Sequence, residues 1–443
     1  MARTYAIETF GCQMNVHDSE HLAGLLEQAG FEPAADSAQA DLLVLNTCSV
    51  RERAEDKLYS RLGELRACAV RPHPAQMVAV AGCVAQQEGA RLLRRAPFVS
   101  VIAGTQAEKR LPLLINEAGR TGRPVVDVDL GGARSFPLAV VRREDPVRAS
   151  VAIIEGCDDA CAFCVVPHTR GRERMRPASE IMAEVSLAAS KGHKEIHLLG
   201  QIVNHYQAPD RRGCDFAALL ALVNDVPGVE RIRFASPHPR HVTARLIEAI
   251  RDLPRVCKHL HLPVQSGSTR MLAAMRRQHT RDEYLSLVGR VREEVPSIAL
   301  SSDMIVGFPG ETEEDFQDTL SLVERVRFHS LYAFKYSERP NTFAINHLQD
   351  DVPREIKAGR LAALQALQRT VQVHLNEQAL GMIQEVLVDS RSRRRPWEMS
   401  GRNTGNTVVN FPGDPGWIGR MAAVRIERAG PNSLWGELAV GEA

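Results

Sequence analysis

The stretch Glu155–Gly171, EGCDDACAFCVVPHTRG, sets Cys157, Cys161 and Cys164 in a C-x3-C-x2-C array. It follows directly on a β-branched run, VAIIE at Val151–Glu155, and from there strand and helix patterns alternate into the mid-370s. Strand candidates are Val151–Glu155, Glu195–Leu199, Arg231–Ala235, Lys258–Leu262, Ser302–Val306 and Ser330–Tyr336. Helical periods run over Pro177–Lys191, Val242–Arg251, Thr280–Val295 and Thr312–Val326. Six strand–helix units predict a partial (βα)6 barrel over residues 147–376, which the amphipathic pattern from Arg354 to Gln378 is placed to close. In such a fold the loop after a strand carries the chemistry, and the cysteine array occupies one.

Thiolates suit zinc or the iron of an iron–sulfur cluster. Structural zinc sites pair C-x2-C knuckles or add histidines to reach four ligands. Here a single C-x2-C exists and His168 is a poor complement. Three thiolates on one short loop instead leave one iron of a four-iron cubane open to a substrate.

Residues 3–119 read as a smaller unit. YAIETFGC, LLVLNTC and MVAVAGC are each a buried-strand pattern followed by a cysteine: Cys12, Cys48 and Cys83. Helical stretches at Ser19–Gln28 and Ala54–Leu65 lie between them, which predicts a doubly wound parallel sheet. Ligands gather at the carboxyl ends of such strands, so the three thiols are expected to converge there as a second open-iron site. An open iron there could hold an extra sulfur, which points to sulfur transfer. Each cysteine alone would read as a small buried hydrophobe; three in equivalent places do not. Residues 120–146, rich in Gly, Pro and Arg, read as a linker with an extended stretch. From 379 to 441 short strands broken by Gly, Pro and Asn predict a small all-β barrel. Its SRSRRRPW segment sets Arg391, Arg393, Arg394 and Arg395 beside Trp397, a pairing that suits phosphate contact and base stacking.

Whole-chain properties agree. The 443 residues carry 44% hydrophobic and 25% charged side chains, as in an average soluble protein. A net charge of +1 excludes a strongly basic coat but not a local basic patch. No apolar run is long enough to span a membrane, so a cytoplasmic location is expected. Nine cysteines, an odd number, then read as thiols or metal ligands rather than disulfides. Cys68, Cys214 and Cys257 have no motif partners and read as inert.

With Phe163 before its last cysteine, the central array resembles the radical S-adenosylmethionine superfamily. TFGCQMN (Thr9–Asn15), LNTCSVRERAEDK (Leu45–Lys57), AGCVAQQEG (Ala81–Gly89), HLPVQSGS (His261–Ser268) and SSDMIVGFPGET (Ser301–Thr312) extend the likeness to the methylthiotransferases over nearly the whole chain. GCQMN resembles the branch that makes 2-methylthio-dimethylallyladenosine in tRNA; the ribosomal-protein branch carries Pro-Lys at positions 13 and 14. This resemblance implies two [4Fe-4S] clusters, one on each cysteine triad, with S-adenosylmethionine chelated by the central one. It implies cleavage of that cofactor to a 5′-deoxyadenosyl radical, hydrogen abstraction from carbon 2 of an isopentenylated adenosine beside the anticodon, and attachment of a methylthio group. Gly200 and Gln201 stand where the superfamily contacts the methionine amino group, although the family follows this Gln with Asn and this chain has Ile202. Gly307 belongs to a segment that resembles the family's glycine-containing turn, which backs the adenine. Ser236, His238, Gln265 and Ser266 follow strands and are expected to line the same mouth. The terminal barrel resembles the TRAM module, which binds RNA. The implied partners are a tRNA anticodon stem-loop and an electron donor such as flavodoxin or ferredoxin, with the chain a monomer. Competing readings are a methylthiotransferase acting on a ribosomal protein or on threonylcarbamoyl-adenosine, and a non-catalytic RNA-binding iron–sulfur protein.

Overall fold

The computed structural model describes residues 3–50, 52–67, 76–131 and 141–439. Cys68 lies outside the described residues. Strands β1 (Arg3–Phe10), β2 (Phe31–Pro33), β3 (Leu42–Thr47), β4 (Met77–Gly82), β5 (Val101–Ala103) and β6 (Val125–Asp127) form one parallel sheet in the order β2-β1-β3-β4-β5-β6. β3 is buried at every residue because helices cover both faces. Helix α1 (Gln13–Gln28) packs Leu22 and Leu26 on one side, and α2 (Glu52–Ala67) packs Leu58 and Leu62 on the other. This is the predicted doubly wound unit. The three strands that sequence reading passed over are three-residue pieces, too short to show a period, and β6 falls within the Gly- and Pro-rich stretch.

The middle of the chain forms the predicted partial barrel. Its strands are β7 (Arg148–Ala152), then, beyond the ribbon β8 (Ile154–Glu155) and β9 (Arg174–Met175), β10 (Glu195–Leu199), β11 (Arg231–Phe234), β12 (His259–His261), β13 (Ala299–Val306) and β14 (Ser330–Lys335). β7, β10 and β11 pair in parallel, as do β12, β13 and β14, and a bridge from Ile232 to Val256 joins the two groups. β7 and β14 are edges, so the barrel stays open between them. The expected strand Val151–Glu155 is broken: β7 stops at Ala152, and Ile154–Glu155 turns away to pair antiparallel with β9. Gly156 makes the turn possible at φ +77°, where a Cβ would sit 2.1 Å from the Arg172 carbonyl oxygen.

Strand alternation divides the barrel cleanly. Residues such as Val151, Ile196, Leu198, Ile232, Leu260 and Met304 face the surrounding helices in one large apolar core. The intervening inward positions are largely polar, among them Glu195, His197, Arg233, His261 and Asp303. A helix from Arg354 to Glu377 packs along β14 and leads to the last domain.

There β15 (Ile383–Arg391), β16 (Glu398–Arg402), β17 (Val408–Pro412), β18 (Met421–Ala429) and β19 (Leu434–Leu438) close a barrel in the order β15-β16-β17-β19-β18 around Val386, Val409, Phe411 and Val424. Its β16–β17 loop seals the amino-terminal end of the central barrel. Arg233 donates to the carbonyls of Asn403 (2.6 Å) and Thr404 (3.2 Å), Arg231 donates to that of Glu385 (2.8 Å), and the Lys258 amide donates to Thr404 Oγ1 (2.8 Å). The opposite, carboxyl end is left for chemistry. Among the described residues no helix is long and apolar enough to cross a membrane.

Candidate active site

Three strand exits deliver the N-terminal thiols. Cys12 precedes α1, Cys48 follows β3, and Cys83 opens a short helix, Cys83–Glu88. Their close approach requires glycine twice. A Cβ on Gly11 would lie 2.7 Å from Cys48 Cβ, and one on Gly82, at φ +89°, would lie 2.3 Å from Asn46 Oδ1. The Val50 amide donates to Cys48 Sγ at 3.3 Å. Cys48 shares its proton with Cys12, so a hydrogen bond from Cys48 lowers the Cys12 thiol to about 6 while the Cys48 thiol is pushed up. Burial raises Cys83, against the pull of the Arg170 guanidinium. The three expected thiols therefore meet in one place.

The central loop is pinched at its base by the β8–β9 ribbon. Within it the Cys157 amide donates to the Gly171 carbonyl (3.1 Å), the Cys164 amide donates to the Cys161 carbonyl (3.1 Å), and the Asp159 amide donates to Cys157 Sγ (3.4 Å). Burial pushes the Cys157 and Cys164 thiols up to about 12, and the Cys161 sulfur adds to both shifts. Arg277, only 6% exposed, donates to Cys161 Sγ at 3.5 Å and to the Pro263 carbonyl at 2.9 Å, and its Nε has no partner. Burial keeps Cys157 and Cys164 protonated unless a cation sits among the thiols, and a buried arginine beside them offsets the net negative charge of a thiolate-ligated cluster. Both triads fit iron–sulfur ligation. Cys214 and Cys257 are buried apart from them, beside Tyr206 and Arg231.

Both triads open toward one mouth. Met14 and Cys12 pack against Ala152, Leu199 and Ala235, the last inward residues of β7 and β10 and the residue after β11. The helix Val166–Arg170, which ends the central cysteine loop, lies against the helix that begins with Cys83. Arg170 pairs there with Asp18 at 2.5 Å, both of them buried, and Thr105 Oγ1 donates to the Thr169 carbonyl at 2.6 Å. Sequence spacing assigns Arg170 no role and does not reach Arg277. The only signal for the former was a cation inside the cysteine loop.

Most of the other expected residues lie around this mouth. Phe163 packs with Ala162, Met271 and Phe308 beneath the loop. Gly200 lets β10 run close under Ile154, where a Cβ would meet Ile154 Cβ at 3.1 Å, and the next residue, Gln201, has a buried Oε1 without a partner. Ser236 and Gln265 hold φ of +60° and +80°, a strained conformation for non-glycine residues and one that gathers at functional sites. Gly307, at φ +70°, donates its amide to Glu311 at 2.6 Å, and a Cβ there would meet the Lys357 side chain at 2.3 Å. Ser266 is the correction: its hydroxyl is fully buried, turned to Thr319 and accepting from the Ser268 amide, because the chain there dives under a helix. His238 is likewise committed, Nδ1 accepting from the Arg240 amide. At the turn between β15 and β16, Arg391, Arg393, Arg394 and Arg395 are exposed, and Trp397 is 66% exposed.

Known proteins match this arrangement. Residues 4–104 match the family described as Uncharacterized protein family UPF0004, residues 151–323 the Radical SAM superfamily and residues 377–439 the TRAM domain. A protein of Solibacter usitatus is 44% identical over 99% of this chain and 98% of its own length. One of Methylococcus capsulatus is 46% identical over 99% of this chain and 96% of its own. Both are called tRNA-2-methylthio-N(6)-dimethylallyladenosine synthase. Among solved structures, the radical S-adenosylmethionine methyltransferase TsrM of Kitasatospora setae, with cobalamin and a [4Fe-4S] cluster bound, aligns with a TM-score of 0.55 at 16% identity, over 90% of this chain and 81% of that one. At that identity the likeness is one of fold. The full-length relatives reach further, and by them the chain belongs to the family of tRNA-2-methylthio-N(6)-dimethylallyladenosine synthases within the radical SAM superfamily.

Proposed function

We propose that this enzyme converts N6-dimethylallyladenosine beside the tRNA anticodon to its 2-methylthio derivative. Cys157, Cys161 and Cys164 hold the [4Fe-4S] cluster that binds S-adenosylmethionine, and Cys12, Cys48 and Cys83 hold a second one. One observation supports this most: two cysteine triads from separate domains open toward a single barrel mouth. When bound, the central cluster supplies the electron that splits S-adenosylmethionine, and the other supplies a site for the sulfur.

The chain's own residues bind, orient and exclude. The unpartnered Gln201 Oε1 at the exit of β10 is available to a methionine amino group. Ser236 and Gln265 hold the ends of neighbouring strands in fixed, strained turns around it. Gly307 keeps a turn free of side chain where the adenine is backed. Met14, buried against Ala152 and Leu199, keeps water from the space between the triads. Arg391, Arg393, Arg394, Arg395 and Trp397 present an exposed basic and aromatic surface to the anticodon stem-loop. A flavodoxin- or ferredoxin-type donor, a monomeric chain and a cytoplasmic location complete the reading.

Iron and acid-labile sulfide after anaerobic reconstitution test it, with cubane-type sites predicting about eight irons in the wild type and about four after replacing Cys157, Cys161 and Cys164 by Ala. About four falling to none would leave the N-terminal thiols without a cluster and remove the case for sulfur insertion. Mass spectrometry of tRNA nucleosides from a deletion strain then tests the substrate. Loss of the methylthio derivative of threonylcarbamoyl-adenosine, instead of dimethylallyladenosine, would reassign it.

A further inference from the structure

Two large aromatic side chains stand exposed inside the barrel with no task in the fold. Along β14, Leu331 and Ala333 pack into the core against the helices, which sends the alternate residues Tyr332 and Phe334 to the inner face. Tyr332 is 48% and Phe334 39% exposed. Exposed apolar surface of this size, grouped on one side of a single strand, marks a place that a ligand covers.

Register fixes their height. Tyr332 lies opposite Asp303, and Phe334 opposite Ile305. Ile305 packs in turn with Ala162, Phe163 and Phe308, so Phe334 sits one residue pair away from the layer that carries the central cysteine loop. β14 is an edge strand, and both rings therefore border the open side of the barrel. On the other side of the mouth, β7, β10 and β11 present Ala152, Leu199 and Ala235, covered by Met14 and Cys12. Beside the rings is a fixed polar edge. The His261 ring lies 5.9 Å from that of Tyr332, its Nδ1 2.9 Å from Ser301 Oγ and its Nε2 3.3 Å from Asp303 Oδ2.

Two stackable faces, a polar edge beside them and access from an open side fit a flat base with an apolar substituent and hydrogen-bonding edges. We infer that Tyr332 and Phe334 form the wall against which the modified adenine of the RNA substrate, with its dimethylallyl group, is held between the two cysteine triads. This rests on the RNA-modifying reading above and adds to it the residues that select the base.

The test uses the full, anaerobically reconstituted chain and two synthetic anticodon stem-loops, one carrying N6-dimethylallyladenosine and one carrying plain adenosine. Their dissociation constants are compared for wild type, Tyr332→Ala/Phe334→Ala and Tyr332→Phe. The wild type is expected to prefer the modified RNA. The double variant, at wild-type iron content, should bind that RNA roughly 10- to 100-fold more weakly, through lost stacking and lost contact with the dimethylallyl group, and the plain one less so, through lost stacking alone, so that the preference shrinks. Tyr332→Phe keeps the ring and should keep the preference. An undiminished preference in the double variant overturns the inference and leaves the RNA reading standing. A wild type that binds neither RNA overturns both. Loss of S-adenosylmethionine binding in the RNA-free double variant would assign the rings to that ligand's adenine and overturn the inference as well.

Discussion

Arg277 reaches Cys161 from 116 residues away, and that separation explains why sequence spacing pointed to the thiols but not to their cation. The cysteines announce themselves because one loop, or three like strand exits, places them. Arg277 is placed by the fold alone. Its charge and its hydrogen bond to Cys161 Sγ stabilise whichever cluster state is more negative, which is the reduced one. Replacing Arg277 by Leu should therefore make the central cluster harder to reduce. Losing a charged hydrogen bond worth about 1.5–3 kcal/mol corresponds to a shift on the order of 60–130 mV for a one-electron couple. A potentiometric titration followed by electron paramagnetic resonance reads it, and an unchanged potential at full iron content would deny Arg277 this role. Gly82 supports a second prediction at this scale. Alanine there would need both a positive φ and a Cβ within 2.3 Å of Asn46 Oδ1, displacing Cys83. Gly82→Ala should halve the iron, from about eight to about four, and leave the central cluster intact.

Helix α1 carries the seam between the N-terminal sheet and the barrel. His17 and His21, one turn apart, meet with Nε2 atoms 3.2 Å apart, close to Glu184, which is itself paired with Arg143 and Arg176. Burial among these arginines lowers His17 well below the usual range and His21 to about 4, while burial raises Glu20 to about 7. For the histidines the unfolded chain binds more protons as pH falls below 6.5, so stability is lost on acidification, by roughly 2 kcal/mol for His21 at pH 5 and in the same direction for His17. Glu20 has the opposite sign: folded, it takes up a proton between pH 7 and 4.5, which stabilises the seam on acidification by a similar amount. Two imidazoles outweigh one carboxyl. The melting temperature should fall from pH 7 to pH 5, and fall further in Glu20→Gln, where the offset is gone. An acid-insensitive Glu20→Gln would mean the seam is not the site of titration. Little of this was legible beforehand, since α1 reads in sequence as a modest helix with histidines, and their burial depends on a barrel more than a hundred residues downstream. Strand–helix alternation, by contrast, needs only local pattern, and the long elements of both sheets were visible; the three-residue strands β2, β5 and β6 of the N-terminal sheet were not.

Across the whole molecule the terminal barrel has two faces with different work. One is fastened: its β16–β17 loop takes hydrogen bonds from Arg233 and Lys258, its strand β15 takes one from Arg231 at the Glu385 carbonyl, and together they close the bottom of the central barrel. Most of its short strands could be read in sequence while its position could not, because backbone carbonyls carry no sequence signature. The other face is free, with Arg391, Arg393, Arg394 and Arg395 exposed and only Arg395 held in an ion pair among the described residues, to Glu398 at 2.9 Å. Fastening one face turns the free arginines into a fixed positive edge instead of a tethered module, so RNA held there has a set distance to the mouth. Reversing two of those charges, Arg393→Glu with Arg394→Glu, should leave folding untouched, since both side chains are exposed. Every phosphate that the protein ceases to neutralise takes about 0.7–0.9 off the slope of log binding constant against log salt. The double variant should therefore bind an anticodon stem-loop more weakly at low salt, with a slope shallower by about 1.4–1.8, and converge on the wild type as salt is raised. It should weaken modified and plain RNA alike, because phosphates carry no base identity. Binding curves with the wild-type slope would place the phosphate-binding side chains elsewhere on the chain.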